Sequence, residues 1–393
     1  MKILLLVDDY LPSTKSAPLM IQQLGHAFLR HGDSVTILAP SGRFMSKTQK
    51  TEENGLTIVR FRSGRLKNIG KLRRAFNELL LPWEVLGYWF TNHDIRRTEL
   101  IVSYTPTIFW GIAIRIMKYL HKVKNYMILR DIFPQWAVDS GIIRERSPIT
   151  LFFRAFENIN YAAADIIGVQ SPGCCTYFQN TPFLKKIKVL YNWVELTPSD
   201  NRTLGIREKY HWNNKVLFFY GGNIGLAQDM ANLIRLARAM KGHPQAQFLF
   251  IGKGDAFDLL KKRIEEWELT NTLLLPPVPQ EQYYQLLEEC DVGMISLHFN
   301  HKTQNIPGKL LGYMTHCKPV LASVNPNNDL LKLIPKYNSG LVSVNPDDET
   351  LLKNAVSLLD ASVRIQMGAG AYNLAKALFD VNTTVNAIIS SVA

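Results

Sequence analysis

Three short segments of this 393-residue chain combine residue types at spacings that can hold a negatively charged ligand. The first is residues 220–225 (YGGNIG), lying between a strand-like run and a helix-like one. Glycines Gly222 and Gly225 there let the backbone approach a ligand closely, and a helix start behind Asn223 would offer N–H groups to an anion. The GxGxxG spacing of a dinucleotide site is absent, so a purely structural turn is the plain alternative. The second segment, residues 302–310 (KTQNIPGKL), reads as a helix start, with Asn305 suited to the N-cap and Pro307 to the first turn. The amides of Gly308 and Lys309, with the Lys309 ammonium, would then face a phosphate; a capped surface helix with an incidental lysine is the alternative. Two such starts on one sheet favour a diphosphate. The third segment, residues 129–136 (LRDIFPQW), ends a strand in Arg130-Asp131 and places both charges at a carboxyl sheet edge, as functional groups or as a buried ion pair. Smaller cues are Gly252-Lys253 in a further strand–turn and Pro277-Val278 in a rigid proline-rich turn whose backbone could read a planar base.

Elements able to position these residues alternate along the chain. Strand-like runs fall at 2–7, 34–38, 57–61, 100–104, 126–129, 166–170 and 188–191, with a helical period at 19–30. After a polar stretch at 195–214 a second series begins. It has strands at 216–220, 247–251, 272–275, 292–296, 320–322 and 340–344, and helices at 227–240, 256–267, 281–288, 309–315, 348–359 and 363–377. This alternation predicts α/β units on parallel sheets. The length exceeds the roughly 250–300 residues at which single cores stop growing, so two domains are expected. Their bounds read as 1–195 and 196–378, with residues 379–393 able to cross back to the first. Ligands of such domains sit at the carboxyl ends of the strands, here in the cleft where the two face each other.

Composition narrows the function classes. An apolar fraction of 47% excludes global disorder, and no uncharged apolar run approaches the roughly 18 residues of a membrane span. The opening residues run straight into Asp8 and Asp9 and lack a secretory pattern, which sets the expectation of a cytoplasmic chain. The net charge of +12 is lopsided: residues 1–195 carry 26 Lys and Arg against 15 Asp and Glu, and the remainder 19 against 18. The basic run from Arg60 to Arg74, including Arg73 and Arg74, merges into an apolar, aromatic stretch with Trp83 and Trp89. That pattern fits a segment lying on an anionic membrane surface. A core helix with one basic face is the alternative, and no nucleic-acid module accompanies the charge. The four cysteines form no CxxC pair, and His298, His301, His316 and Cys317 match no zinc spacing. Walker A, GxSxG, HExxH and DxD patterns are absent, so no metal or cofactor is expected and the protein's own amides and lysine would neutralise a leaving diphosphate.

Taken together, these segments, the opening ILLLVDDYLPS and residues 325–330 (NPNNDL) resemble the family 4 glycosyltransferases over essentially the whole chain. The resemblance is closest to the N-acetyl-L-fucosaminyltransferases of O-antigen assembly. It implies the GT-B fold: two Rossmann-like, doubly wound parallel-sheet domains facing across a cleft. The second would hold a UDP-sugar donor and the first a lipid-diphosphate-linked saccharide acceptor, with retention of anomeric configuration. Gly222, Asn223, Gly225 and Lys309 would touch the diphosphate, Pro277 and Val278 would lie near the base, and Asp131 near the reacting sugar. The chain departs from the family at the usual pair of glutamates, which fall on Gln304 and Gly312, so the ribose contact would pass to Gln304 or Asn305. The glycine pair of the first loop is replaced by Ser16 and Ala17. The expected setting is the inner face of the bacterial cytoplasmic membrane. A non-catalytic donor-binding subunit and a UDP-sugar 2-epimerase are the competing expectations.

Overall fold

The computed structural model describes residues 1–13, 15–41, 48–66, 69–196, 202–300 and 306–392, leaving aside the side chains of Lys71 and Leu72. Contacts divide the chain into two compact units: Met1–Trp193 with Val381–Ala393, and Val194–Asp380.

In the first unit, near-continuous apolar runs form the inner strands, buried on both faces as parallel sheets covered by helices require, while the edge strands are exposed. The strands are β1 (Lys2–Leu6), β2 (Ser34–Pro40), β3 (Gln49–Glu53), β4 (Leu56–Phe61), β5 (Leu100–Tyr104), β6 (Lys124–Leu129), β7 (Ile166–Val169) and β8 (Ile187–Val189). They lie in the order β3-β4-β2-β1-β5-β6-β7-β8, with only the β3–β4 pair antiparallel. Strand β3 (QKTEE) is fully exposed and carries no apolar pattern. Its existence follows from the Asn54-Gly55 turn, both residues at positive φ (50° and 84°), which is hairpin chemistry. Its charges leave the sheet edge unattractive to other strands. Helices Ser16–Arg30 and Val381–Val392 cover one face, packing Leu24 and Phe28 into the same core as Val385 and Ile388. Helices Lys71–Thr91, Trp110–His121 and Pro148–Ala163 pack side by side, contributing to a second core.

The second unit holds β9 (Val216–Asn223), β10 (Ala246–Lys253), β11 (Thr272–Leu275), β12 (Val292–Ser296), β13 (Val320–Val324) and β14 (Gly340–Val344). The order is β11-β10-β9-β12-β13-β14, and every pair is parallel. Both sheets are Rossmann-like and doubly wound, reversing direction between β1 and β5 and between β9 and β12. No helix of the described residues is long and apolar enough to cross a membrane.

The aromatic segment divides by helical face. Leu81, Val85, Leu86 and Trp89 form a buried stripe at helical spacing, whereas Phe76, Leu80, Trp83 and Phe90 are exposed. Trp89 therefore does not belong with Trp83 on an outer surface. It is 2% exposed and packs edge-on against His121 at 4.8 Å, a core residue. Arg73 and Arg74 do face outward, Arg74 paired with Glu78 at 2.6 Å. Arg60 leaves the basic run to bond the Leu11 carbonyl.

Glu84, on the same helix, buries one carboxylate oxygen without a partner. Desolvation raises its pKa from 4.5 to about 7, against the opposing pull of the Gly64 backbone and Arg62. The protonated form is thus the one the fold prefers, and its contribution is lost as pH rises through about 7. Glu84→Gln should melt a few degrees above the parent at pH 8 and show no advantage below pH 4.5, which thermal melts across pH would check.

Candidate functional site

In an open α/β sheet the binding crevice lies outside the carboxyl ends of the strands where their order reverses. In the second unit that point falls at the end of β9, and the glycines there divide into two kinds. A side chain on Gly252 would run into the Gly222 carbonyl oxygen, and one on Gly221 into the Tyr283 ring. On Gly225 it would lie 2.6 Å from Asn223 Nδ2. Gly252 and Gly221 are required by packing, whereas at Gly225 the neighbour is the end of a side chain that can move aside. Gly222 is different: it is exposed, has φ of +124°, and a Cβ there would meet only Lys309, with Cε at 3.9 Å and Nζ at 4.0 Å. Gly308 likewise faces open space.

Lys309 opens the helix Lys309–Thr315, which Tyr313 fixes in place. The Tyr313 hydroxyl donates toward the carbonyls of Phe219 (3.3 Å) and Met294 (3.2 Å), and Gly293 leaves room for its ring. Four residues apart, Tyr313 and Lys309 share a helix face, which brings the Lys309 ammonium to 3.3 Å above the centre of the Tyr220 ring. Among the described residues the ammonium has no anionic partner, and burial pulls its pKa well below the usual lysine value. The amides of Leu310 and Leu311 are spent on Pro307 and Gly308 carbonyls, while those of Gly308 and Lys309 have no acceptor among the described residues.

Two local expectations need correcting. Only a single 3-10 turn, Leu226–Gln228 with Gly225 at its cap, follows β9 directly; the α-helix begins at Met230, so Gly222 to Gly225 are strand end and turn, not the N-terminus of an α-helix, and the Ile224 amide is already given to the Lys253 carbonyl. Pro307 precedes the helix, whose cap is Gly308, and not its first turn. Gln304 and Asn305 lie outside the described residues. A polar network holds the turn against neighbouring strand ends: Ser296 Oγ donates to the Asp229 carbonyl, and Asn345 Nδ2 to the Asp229 carboxylate (2.8 Å) and the Leu297 carbonyl (2.8 Å). Lys253 is exposed beside Asn223 in the β10 register. Pro277 and half-buried Val278 follow β11, two strand spacings or about 10 Å from β9.

In the first unit, one strand beyond the reversal between β1 and β5, β6 ends in Arg130-Asp131. The Arg130 amide is held by Thr105 Oγ1 at 2.9 Å, and its carbonyl by Gln170. Its guanidinium, 8% exposed by residue, lies over the rings of Trp193 (4.7 Å) and Tyr104 (5.8 Å). Nε and one terminal nitrogen are buried with no hydrogen-bond partner, and desolvation lowers the pKa. The pair is not a closed buried ion pair, because Asp131 is at the surface; its partly desolvated carboxyl lies above the usual aspartate value, with Arg130 opposing. Ser16 and Ala17 form the first turn of helix Ser16–Arg30, not a loop. No three His, Cys, Asp or Glu side chains converge as metal ligands among the described residues. His316 instead stacks on Tyr284 and faces Glu288 at 3.3 Å.

Residues 205–373 match the family described as Glycosyl transferases group 1. The probable glycosyltransferase WbjE of Pseudomonas aeruginosa is 23% identical over 251 residues, a match that spans 62% of this chain and 62% of WbjE. Over 99% of its length the chain superposes on sucrose-phosphate synthase from Thermosynechococcus elongatus, with a TM-score of 0.71 and 14% identity, covering 97% of that chain. Anabaena HepE in complex with UDP and glucose gives a TM-score of 0.67 at 16% identity, covering 100% of this chain and 99% of that one. The fold is GT-B.

Within the matched residues 205–373, Lys309, Gly222 and Gly308 converge. Gly225 and Gly252 shape the backbone around them. Tyr220 and Tyr313 were missed, because a tyrosine beside a glycine pair or inside a helix reads as ordinary core. The glycine division is testable by substitution. Gly252→Ala should cost about 3 kcal/mol or more, lowering the melting temperature by roughly 10 °C or preventing folding. Gly308→Ala should stay within about 0.5 kcal/mol of the parent. Thermal melts of the two variants check both.

Proposed function

We propose that this chain is a retaining, metal-independent glycosyltransferase. It moves an N-acetylated hexosamine such as N-acetyl-L-fucosamine from a UDP-sugar to an undecaprenyl-diphosphate-linked saccharide, in O-antigen or related surface-polysaccharide synthesis. The observation that carries the reading is the half-buried Lys309, whose ammonium is desolvated without an anionic partner among the described residues and lies 4.0 Å from where a Cβ on Gly222 would sit. A desolvated cation beside exposed backbone is a site for an anion brought by a ligand. The group 1 match over residues 205–373, the likeness to WbjE and the UDP bound in HepE support a nucleotide-sugar donor.

In this reading the bond between the anomeric carbon and the diphosphate oxygen breaks as the acceptor hydroxyl oxygen forms its bond on the same face. Positive charge develops on the sugar, and negative charge on the leaving diphosphate is met by Lys309 and the amides of Gly308 and Lys309. A departing phosphate oxygen takes the acceptor proton. On the first unit, Asp131 and Arg130 serve the acceptor side. An extended nucleotide would reach from the β9 end toward Pro277 and Val278. The exposed Phe76 and Trp83 (57% exposed) beside Arg73 and Arg74 would hold the first unit on the anionic inner membrane surface where such an acceptor resides.

UDP at about 100 times its dissociation constant should stabilise the chain by roughly 2.7 kcal/mol, without Mg²⁺. Lys309→Ala should lose that shift and about 10²–10³ in transfer rate from UDP-sugar. A parent chain unmoved by UDP, or a Lys309→Ala variant with most of its turnover, would refute the donor site. Arg73→Glu combined with Trp83→Ser should weaken sedimentation with anionic vesicles at low salt, each basic residue near such a surface being worth about 1 kcal/mol. Unchanged sedimentation would remove the membrane assignment and leave the donor site standing.

A further inference from the structure

We infer that Tyr220 is the positioning residue for the phosphate-binding lysine. Its ring face carries the Lys309 ammonium and its hydroxyl ties down the turn at Asn223, so one side chain sets the gap that receives the donor diphosphate. The inference rests on the reading of Lys309 as the diphosphate contact.

The ammonium is 3.3 Å from the ring centre, while the hydroxyl donates to the Asn223 carbonyl at 2.7 Å. Tyr220 thus touches both sides of the site: the helix start through its ring and the β9 turn through its oxygen. It is fully buried, and the Phe250 ring at 6.2 Å helps hold it in place. A carboxylate in its place would neutralise the lysine and compete with the incoming phosphate. The negative face of a ring favours the ammonium without supplying a counter-charge that an incoming phosphate would have to displace. The ring also closes one side of the ammonium, leaving its N–H groups to point elsewhere, and the open side of Gly222 lies 4.0 Å from Nζ.

The test uses the full chain and UDP, with affinities from calorimetry. Tyr220→Leu should weaken UDP by roughly 30-fold, the loss of a desolvated cation–π contact. Tyr220→Phe, which keeps the ring, should cost about fivefold or less, one hydrogen bond. In a Lys309→Ala background the Tyr220→Leu change should add little, because the two residues act as one unit. Equal losses in both backgrounds would make Tyr220 merely structural and overturn the inference. A second measurement does not depend on a core variant. In the parent chain the Lys309 ε-methylene proton signal, assigned by its absence from Lys309→Arg, should be shifted upfield by the ring current; an unshifted signal overturns the inference. A parent chain that fails to bind UDP overturns the donor reading and this inference with it, whereas UDP binding without coupling overturns this inference alone.

Discussion

A lysine ammonium drawn out of water with no carboxylate beside it costs the fold stability, and the second unit is arranged around keeping it there. Tyr313 fixes the helix that carries Lys309 by bonding the carbonyls of β9 and β12, and Gly293 gives up its side chain to make room. The Tyr220 ring supplies the stabilisation that a carboxylate would otherwise give. Asp229, Ser296 and Asn345 then lock the turn after β9 against the neighbouring strand ends. Each of these contacts is ordinary alone. Their common effect is to hold a cation away from water and from any carboxylate among the described residues, which is the state the proposed donor site needs.

Arg130 repeats the theme in the first unit, and Arg207 gives the contrast. Arg130 ends β6 with two nitrogens unpartnered and its guanidinium against Trp193 and Tyr104. Arg207 bonds the carbonyls of Trp212, Lys215 and Glu289 and pairs with Asp291, all at the amino-terminal side of β9 and β12. Fully satisfied, Arg207 can only hold structure. Arg130 is held more loosely, with one nitrogen reaching the Leu190 carbonyl at 3.5 Å and its guanidinium against aromatic rings, which in the proposed reading leaves it able to meet a ligand. The difference lies in the partners, not in the residue type.

Much of this was legible in the sequence because parallel strands write themselves as short apolar runs. The exceptions have physical causes. Strand β3 is held by its turn and its partner, so no apolar pattern marks it, although Asn54-Gly55 did. Trp89 and Trp83 read alike along the chain, yet their places around the helix bury one and expose the other. Gly222 and Gly252 were equivalent as letters. What separates them is the neighbouring backbone, a carbonyl against Gly252 and open space before Gly222, and that depends on the register of β9 with β10. Lys309 was readable from its place after Pro307-Gly308. Its platform was not, since nothing in the sequence ties position 220 to position 309.

The departure at Gly312 also has a physical reading. A Cβ at this position would lie 3.0 Å from Leu287 and 3.8 Å from Tyr283, so a side chain here would crowd helix Gln280–Glu289. A glutamate there would push into that contact. Tyr283 in turn sits against Gly221 and Phe219 at the end of β9. A larger residue at position 312 would press on a helix that itself packs against the end of β9, the strand that presents Gly222 and Tyr220. In the proposed reaction the site then depends less on an acidic anchor for the donor. It depends more on backbone amides and one restrained ammonium, groups that act on the leaving diphosphate, where negative charge develops.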